Sequence, residues 1–299
     1  MHSAFPLAGE ALSLLTAVVW ALAVTLFRKS GETVHPLALN VFKNSLALVL
    51  LVPTIWLFGQ NLWLQAPVRI YALLFLSGAI GIGIGDTLFF QSLNRLGAGL
   101  TGIVVCMYSP FIIAFSYVWL HESLSLLQLI GAFLIIFAVL FATVHKTSRD
   151  EMAARPFLAI VYGVLASAAM AGGVVLMKPL LGTYPVVWVA EIRLIGGMVA
   201  LAIILLIHSG RKKILASLKS TTNRAYTLSG SLLGAYVSMI LWIAGMKYTQ
   251  ASTASALNQT STIFIFIFAG LLLREPITPR RAVGISIAFV GAFLVSLFR

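Results

Sequence analysis

The chain has 299 residues, of which 60% are hydrophobic and only 9% charged. Soluble domains carry roughly a quarter charged residues, so this composition excludes an ordinary soluble protein. The net charge of +12 would suit nucleic acid in a soluble chain, but here it is distributed as a membrane protein would distribute it.

Hydropathy predicts ten apolar segments, at approximately 10–27, 36–58, 69–92, 98–119, 125–144, 157–177, 186–207, 226–246, 252–272 and 281–298. Each is near the ~20 residues that one helical span needs. None shows the strict alternation of a transmembrane strand, so the backbone must satisfy itself within helices. The fold class read from this is an all-α multispan membrane protein.

The first segment carries Trp20 and ends at Arg28–Lys29. That basic pair follows the apolar run instead of preceding it, unlike a cleavable signal peptide. The second segment carries Lys43. The third contains "GIGIGDTLFF" (81–90), in which Asp86 interrupts apolar sequence, and Gly78, Gly81, Gly83 and Gly85 leave a narrow flank suited to close helix packing. The fourth holds the single cysteine, Cys106, which excludes an internal disulfide. It also holds Tyr108 and Ser109, followed by Pro110, a residue that loosens helices. A hydrophilic linker, 146–156, separates residues 1–145 from 157–299. The seventh segment carries Glu191 and Arg193. The basic loop His208–Ala225 reads as a solvated connector. The eighth segment holds Tyr236 and Trp242. In the ninth, Ser255, Asn258, Gln259 and Thr262 recur at i, i+3, i+4 and i+7, one helical face.

Assigning the connections to alternate sides places four Lys/Arg on the side of the N-terminus and fourteen on the other. The positive-inside rule then puts the basic connections in the cytoplasm of an inner or plasma membrane, with both termini outside. Trp56, Trp63, Trp119 and Trp188 fall near outer segment ends, where an interfacial belt is expected.

The chain repeats itself at an offset of about 153 residues. "LHESLSLLQLIGAFLIIFAVL" (120–140) aligns with "LREPITPRRAVGISIAFVGAF" (273–293), so that Leu120, Glu122 and Gly131 meet Leu273, Glu275 and Gly284. "NRLGAGLTG" (94–102) aligns with "KYTQASTAS" (247–255), and Pro36 and Lys43 resemble Pro185 and Arg193. Each half holds five segments, an odd number, so the second copy is inserted upside down. Inverted repeats around a midplane site are characteristic of secondary transporters.

These placements resemble the drug/metabolite transporter superfamily in its EamA type, over nearly the whole chain. The second copy departs from the pattern with Ile263 where the first has Pro110. The resemblance implies ten helices in two inverted five-helix repeats around a central cavity, outward termini, and export of amino acids or related small metabolites. It implies no cofactor.

Lys43, Asp86, Glu191 and Arg193 are charges within apolar segments, where ionisable groups are costly and are functional candidates by default. At 1.5 Å per residue Lys43 lies roughly 10 Å and Asp86 roughly 12 Å from the basic side, so the two can meet. Either a static ion pair or a gate satisfies that geometry. Arg193 occupies the matching depth from the other side. Glu191 points to a different helical face from Arg193 and reads as interfacial and solvated. The stripe Ser255, Asn258, Gln259 and Thr262 either lines the cavity or binds helices together. Trp20, Tyr108, Tyr236 and Trp242 either pack the bundle or offer rings to an apolar or cationic group.

Competing functions are constrained by what is missing. Gly83–Asp86 spells the GxGD of intramembrane aspartyl proteases, but the only other aspartate, Asp150, lies in the linker, so no dyad can form. His121–Glu122 does not continue to a second histidine, and no GxxxxGK[ST] phosphate loop occurs. The reading is therefore a monomeric, non-enzymatic exporter whose partners are the bilayer, a small-molecule substrate and protons as candidate coupling ions. A non-transporting receptor or assembly subunit is the alternative, with an intramembrane enzyme behind it.

Overall fold

A computed structural model describes residues 8–59, 61, 64–120, 125–143, 156–248 and 257–297. Among these, all regular structure is helical. The apolar helices are α1 (Ala8–Ser30), α2 (Pro36–Leu57), α3 (Val68–Leu96), α4 (Ala98–Val105 continuing as Tyr108–Leu120), α5 (Leu126–Thr143), α6 (Pro156–Met177), α7 (Val186–Ile207), α8 (Arg224–Ser231 continuing to Tyr248), α9 (Ser261–Leu273) and α10 (Pro279–Leu297). Among the described residues seven helices are long and apolar enough to cross a membrane, with shorter apolar helices at Leu126–Ala142 and Ser261–Leu273.

Two kinds of irregularity recur at one offset. Residues Ala79–Gly85 of α3 and Leu232–Val237 of α8 form π-helical turns, which open 153 residues apart. Helix α4 breaks at Cys106–Met107, and the helix before α9 breaks at Gln259–Thr260, again 153 apart. Pro110 accounts for the first break, because its ring clashes with the carbonyl four residues back, at Cys106. The second break occurs beside Ile263, so a proline is not what the position requires. Broken helices and π turns expose backbone groups that must be satisfied by neighbours, and they mark functional sites in membrane bundles.

Helix neighbours follow the same exchange. The pairs α1–α8, α1–α9 and α2–α8 become α6–α3, α6–α4 and α7–α3 when each helix is replaced by the one five places along. The pairs α2–α7, α4–α9 and α5–α10 map onto themselves.

Glycine sets how closely the helices approach. A Cβ on Gly196 would lie 2.5 Å from the Phe75 backbone, and one on Gly173 would lie 2.7 Å from Ser77 O. Helix α3 is thereby held directly against both α6 and α7. In lipid there is little hydrophobic drive between helices, so this contact rests on packing and hydrogen bonds.

The basic loop is not a free connector. Residues Arg211–Ser220 form a helix whose Ile214 is buried with Phe27, Leu37 and Leu39. Ser217 Oγ accepts the His35 amide at 3.1 Å, Thr33 and Thr221 hydroxyls meet at 2.6 Å, and Asn223 Nδ2 donates to Lys29 O at 3.0 Å. Its one apolar stripe finds a partner in the turn between α1 and α2, which explains why the loop folds down. His35 caps α2, its Nδ1 accepting from Leu37 N at 3.2 Å. Burial, then His208 and Arg95, lowers its pKa from the ordinary histidine range, which suits a neutral accepting ring.

The motif glutamate Glu275 has a specific task. Arg274 takes a left-handed conformation (φ 54°) and turns the chain so that Glu275 faces the start of α4. There Glu275 Oε1 accepts Ala98 N at 2.7 Å and Oε2 accepts Gly99 N at 3.0 Å. A carboxylate at a helix N-terminus satisfies two orphan donors and meets the positive end of the dipole. Gly97 takes a positive φ (82°) that strains any other residue, and a Cβ there would fall 2.6 Å from Glu275 Oε1 and push the cap aside. Glu275→Ala is expected to cost about 1–2 kcal/mol and lower the melting temperature in detergent, with Glu275→Gln losing less. Equal melting of Glu275→Ala and the wild type would refute the cap.

Candidate functional site

The polar centre of the bundle is built on α2, α3 and α7. Lys43 Nζ donates to Asp86 Oδ2 at 2.6 Å and to Asn44 Oδ1 at 3.0 Å, and it lies 5.8 Å from the Phe90 ring centre. The lysine side chain is 7% exposed and the aspartate 17%. The network continues inward. Asn44 Nδ2 donates to Asn40 Oδ1 at 2.7 Å, and Asn40 Nδ2 donates to Ile82 O and Thr87 Oγ1, both at 2.9 Å. Thr87 passes the bond on to Gly83 O at 2.7 Å.

The π turn explains this arrangement. Widening the helix shifts backbone bonding, so Asp86 N reaches back to Gly81 O and the Ile82 carbonyl is open to a side-chain donor. Asn40 fills it. The turn also rotates Asp86 toward α2, where Lys43 stands. The asparagines and Thr87 have every amide or hydroxyl group of this chain engaged, which rigidifies a polar network that would otherwise be costly in lipid.

Arg193 on α7 is differently placed. Its Nε donates to Ser77 Oγ at 2.8 Å, and that hydroxyl donates to Gly173 O at 2.5 Å. The residue is half-buried, and its guanidinium lies within electrostatic reach of Tyr108 and Asp86. Among the described residues it has no carboxylate partner within salt-bridge distance. The reason is visible in the offset: the residue 153 after Asp86 is Met239. The polar centre therefore holds one cation paired with a carboxylate and one that has no carboxylate partner among the described residues.

Glu191 is not interfacial or solvated. It is 1% exposed, and neither carboxylate oxygen has a hydrogen-bond partner among the described residues. Val187 and Leu194, on the same face of α7, pack in a cluster with Leu51 and Tyr236. Helix packing on both flanks, which cannot be read from depth alone, closes the site to solvent.

The crossing of α4 and α9 brings together four more residues. Gln259 Nε2 donates to Ser109 Oγ, and the Cys106 thiol and Thr262 hydroxyl lie 3.6 Å apart. At the 153 offset Cys106 corresponds to Gln259 and Ser109 to Thr262, so the two contacts exchange with each other. The helix breaks thus meet at the point where the two halves cross. Asn258 Oδ1 is buried without a partner among the described residues. Ser255 lies outside the described residues. Tyr108 opens the second part of α4, beside Ser109.

The aromatic candidates scatter over the bundle. Trp20 packs near Phe89, with ring centres 6.2 Å apart. Tyr236 bonds the Thr54 hydroxyl at 2.9 Å, and Trp242 packs beside the Trp188 cluster. Trp56 (66%) and Trp119 (61%) are exposed, whereas Trp188, expected in the same belt, is 0% exposed and belongs to the core. Trp188 lies between Tyr71 and Tyr184 at 5.3 and 5.4 Å, because the turn before α7 folds back over it. Trp63 is outside the described residues.

Sequence reasoning did not single out Asn40, Asn44, Ser77, Thr87 or Glu275 as contacts. The run "LNVFKN" (39–44) carries the signal for two of them, as polar residues flanking a buried lysine at i−3 and i+1. Ser77 and Thr87 carry none, since isolated hydroxyls in apolar helices usually bond their own backbone.

The pattern of the EamA-like transporter family matches residues 7–144 and again 157–297. A protein of Archaeoglobus fulgidus named "Uncharacterized transporter" is 25% identical over 286 residues, spanning 96% of this chain and 97% of that one. "Protein PecM" of Dickeya dadantii is 24% identical over 245 residues, spanning 81% of this chain and 78% of that one. A solved structure titled "Crystal structure of protein" superposes with a TM-score of 0.68 over 95% of both chains at 13% identity, a likeness of fold alone.

Proposed function

Because the chain belongs to the EamA-like transporter family and is a multi-pass membrane transporter, we propose that it is a secondary transporter exporting amino acids or related small metabolites by alternating access. The proposed organisation is ten spans in two inverted five-helix repeats, residues 1–145 and 157–299, joined by a cytoplasmic linker, with both termini outside the cytoplasm. The family and its named relatives point to transport in place of catalysis.

One observation carries the substrate class: Arg193, whose guanidinium is held by a serine and has no acidic partner among the described residues. A cation left unpaired in a bundle favours an anionic visitor, and a guanidinium suits the two oxygens of a carboxylate. Lys43 and Asp86 serve as the contact that breaks when the basic end opens. Helix breaks at the α4–α9 crossing supply the pivot around which the halves rock, in the manner of discontinuous helices at transporter sites.

The test is flux in proteoliposomes, using the common L-amino acids with and without a pH gradient. For whichever amino acid crosses, Arg193→Met is expected to raise the half-saturation concentration about 10- to 100-fold, the worth of one charge-assisted hydrogen bond, with Arg193→Lys intermediate. The corresponding amino-acid amide should be transported poorly by the wild type. Unchanged half-saturation in Arg193→Met, or equal transport of the amide, removes the carboxylate anchor. Failure of the whole panel removes the amino-acid assignment.

A further inference from the structure

Glu191 is the one carboxylate in the polar centre that the reading above leaves without work. It stands five residues into α7, roughly 8 Å from the helix start, on the side opposite the basic loops. It is 1% exposed and both its oxygens are unpartnered among the described residues. Its surroundings on α7 are apolar: Trp188 and Ile192 lie in one buried cluster, Val187 and Leu194 in another.

The groups that would neutralise it are occupied or distant. Lys43 and Asp86 bind each other, and Arg193, two residues along on another face, donates to Ser77. On the helices packed against α7, Tyr71 donates to Leu64 O at 2.8 Å and Tyr236 bonds Thr54. Arg69 is exposed at the start of α3, and Arg224 is exposed at the opposite end of α8. Tyr226 is exposed near the same end of α8 as Arg224, and no ion pair or hydrogen bond reaches either Glu191 oxygen among the described residues.

An isolated ionised carboxylate in an apolar site is prohibitively expensive, and such a group takes up a proton instead. A lone carboxyl also lacks the ligands a metal ion needs; no group of three metal-binding side chains occurs among the described residues. We propose that Glu191 is the proton-binding site of this transporter, protonated in the closed arrangement described here and deprotonated when rocking of α7 against α2 and α8 opens it to water. An O–H bond forms on the Glu191 carboxylate from hydronium on one side of the membrane. It breaks to water on the other, so each cycle moves one proton with no other bond changed. Placing the proton here, and not on Asp86, leaves the Lys43–Asp86 pair free to act as a contact.

The proposal rests on the transporter reading for the use of the proton, though not for its binding. The full chain in lipid nanodiscs, followed by infrared difference spectroscopy between acid and alkaline buffers, tests the binding directly. The wild type is expected to show a protonated-carboxyl band at neutral pH, where a solvated glutamate is ionised. Glu191→Gln should lose that band, while Asp86→Asn and Glu191→Asp keep it. Absence of the band in the wild type, or its persistence in Glu191→Gln, overturns the proposal. In vesicles loaded with an amino acid that the panel shows to cross, Glu191→Gln should retain exchange of labelled for unlabelled substrate and lose acceleration by a pH gradient. Gradient-driven flux equal to the wild type also overturns it. If no amino acid crosses, the transport reading loses its substrate while the infrared result still decides the proton site.

Discussion

Asp86→Asn and Lys43→Met, each made alone, are expected to lower stability by about 3–5 kcal/mol, because removing one partner strands the other charge in the bundle. The double variant is expected to recover most of that loss, since two neutral side chains of similar size can fill the space with no charge to solvate. Thermal unfolding in detergent reads the first effect. Asn44 Oδ1 and the Phe90 ring also hold Lys43, so Asp86→Asn should be the milder single change. Flux then separates the two roles of the pair. A contact that opens and closes transport leaves the double variant assembled but slow or leaky. A double variant with both wild-type stability and wild-type flux would sink the gate.

Gly173→Leu is expected to abolish correct assembly or, where protein survives, transport. A Cβ at this position would sit 2.7 Å from Ser77 O and 3.1 Å from Gly81 N, and both are backbone atoms that cannot swing aside. Overpacking a well-fitted contact costs about 1–3 kcal/mol, and here it also displaces Ser77, whose hydroxyl bridges Gly173 O and Arg193. The damage therefore reaches Arg193 from 20 positions away in sequence. Gly182→Ala, where nothing lies within 4 Å, is the matching control and should leave both unfolding and flux unchanged. Normal melting of Gly173→Leu would show that α3 and α6 are not as tightly joined as their backbones indicate.

Much of this architecture is legible in the chain. The apolar runs mark the helices, since each run reports its own transfer energy without reference to the rest of the fold. The third-segment glycines signalled close packing, and depth along two helices was enough to bring Lys43 and Asp86 to one level. Depth failed for Glu191, because a residue near a helix start is solvated only if no neighbour covers it. It failed for Trp188 for the same reason. The ninth-segment stripe was legible as one face, but that Gln259 bonds Ser109 and Thr262 meets Cys106 depends on two breaks superposing at the crossing.

Sequence alone determined that this is a multispan helical protein with an internal repeat at about 153 residues, because hydropathy and self-similarity are sums over neighbouring positions. Only the tertiary structure decided which buried charges are paired, which is left unpaired and which is bare. Among the described residues Asp86 has Lys43, Arg193 has a serine because Met239 stands where a second aspartate would, and Glu191 has no partner. Those outcomes turn on contacts between residues 43 and 116 positions apart, and in a bilayer a polar side chain takes whatever partner the packing of distant helices brings within 3 Å or so.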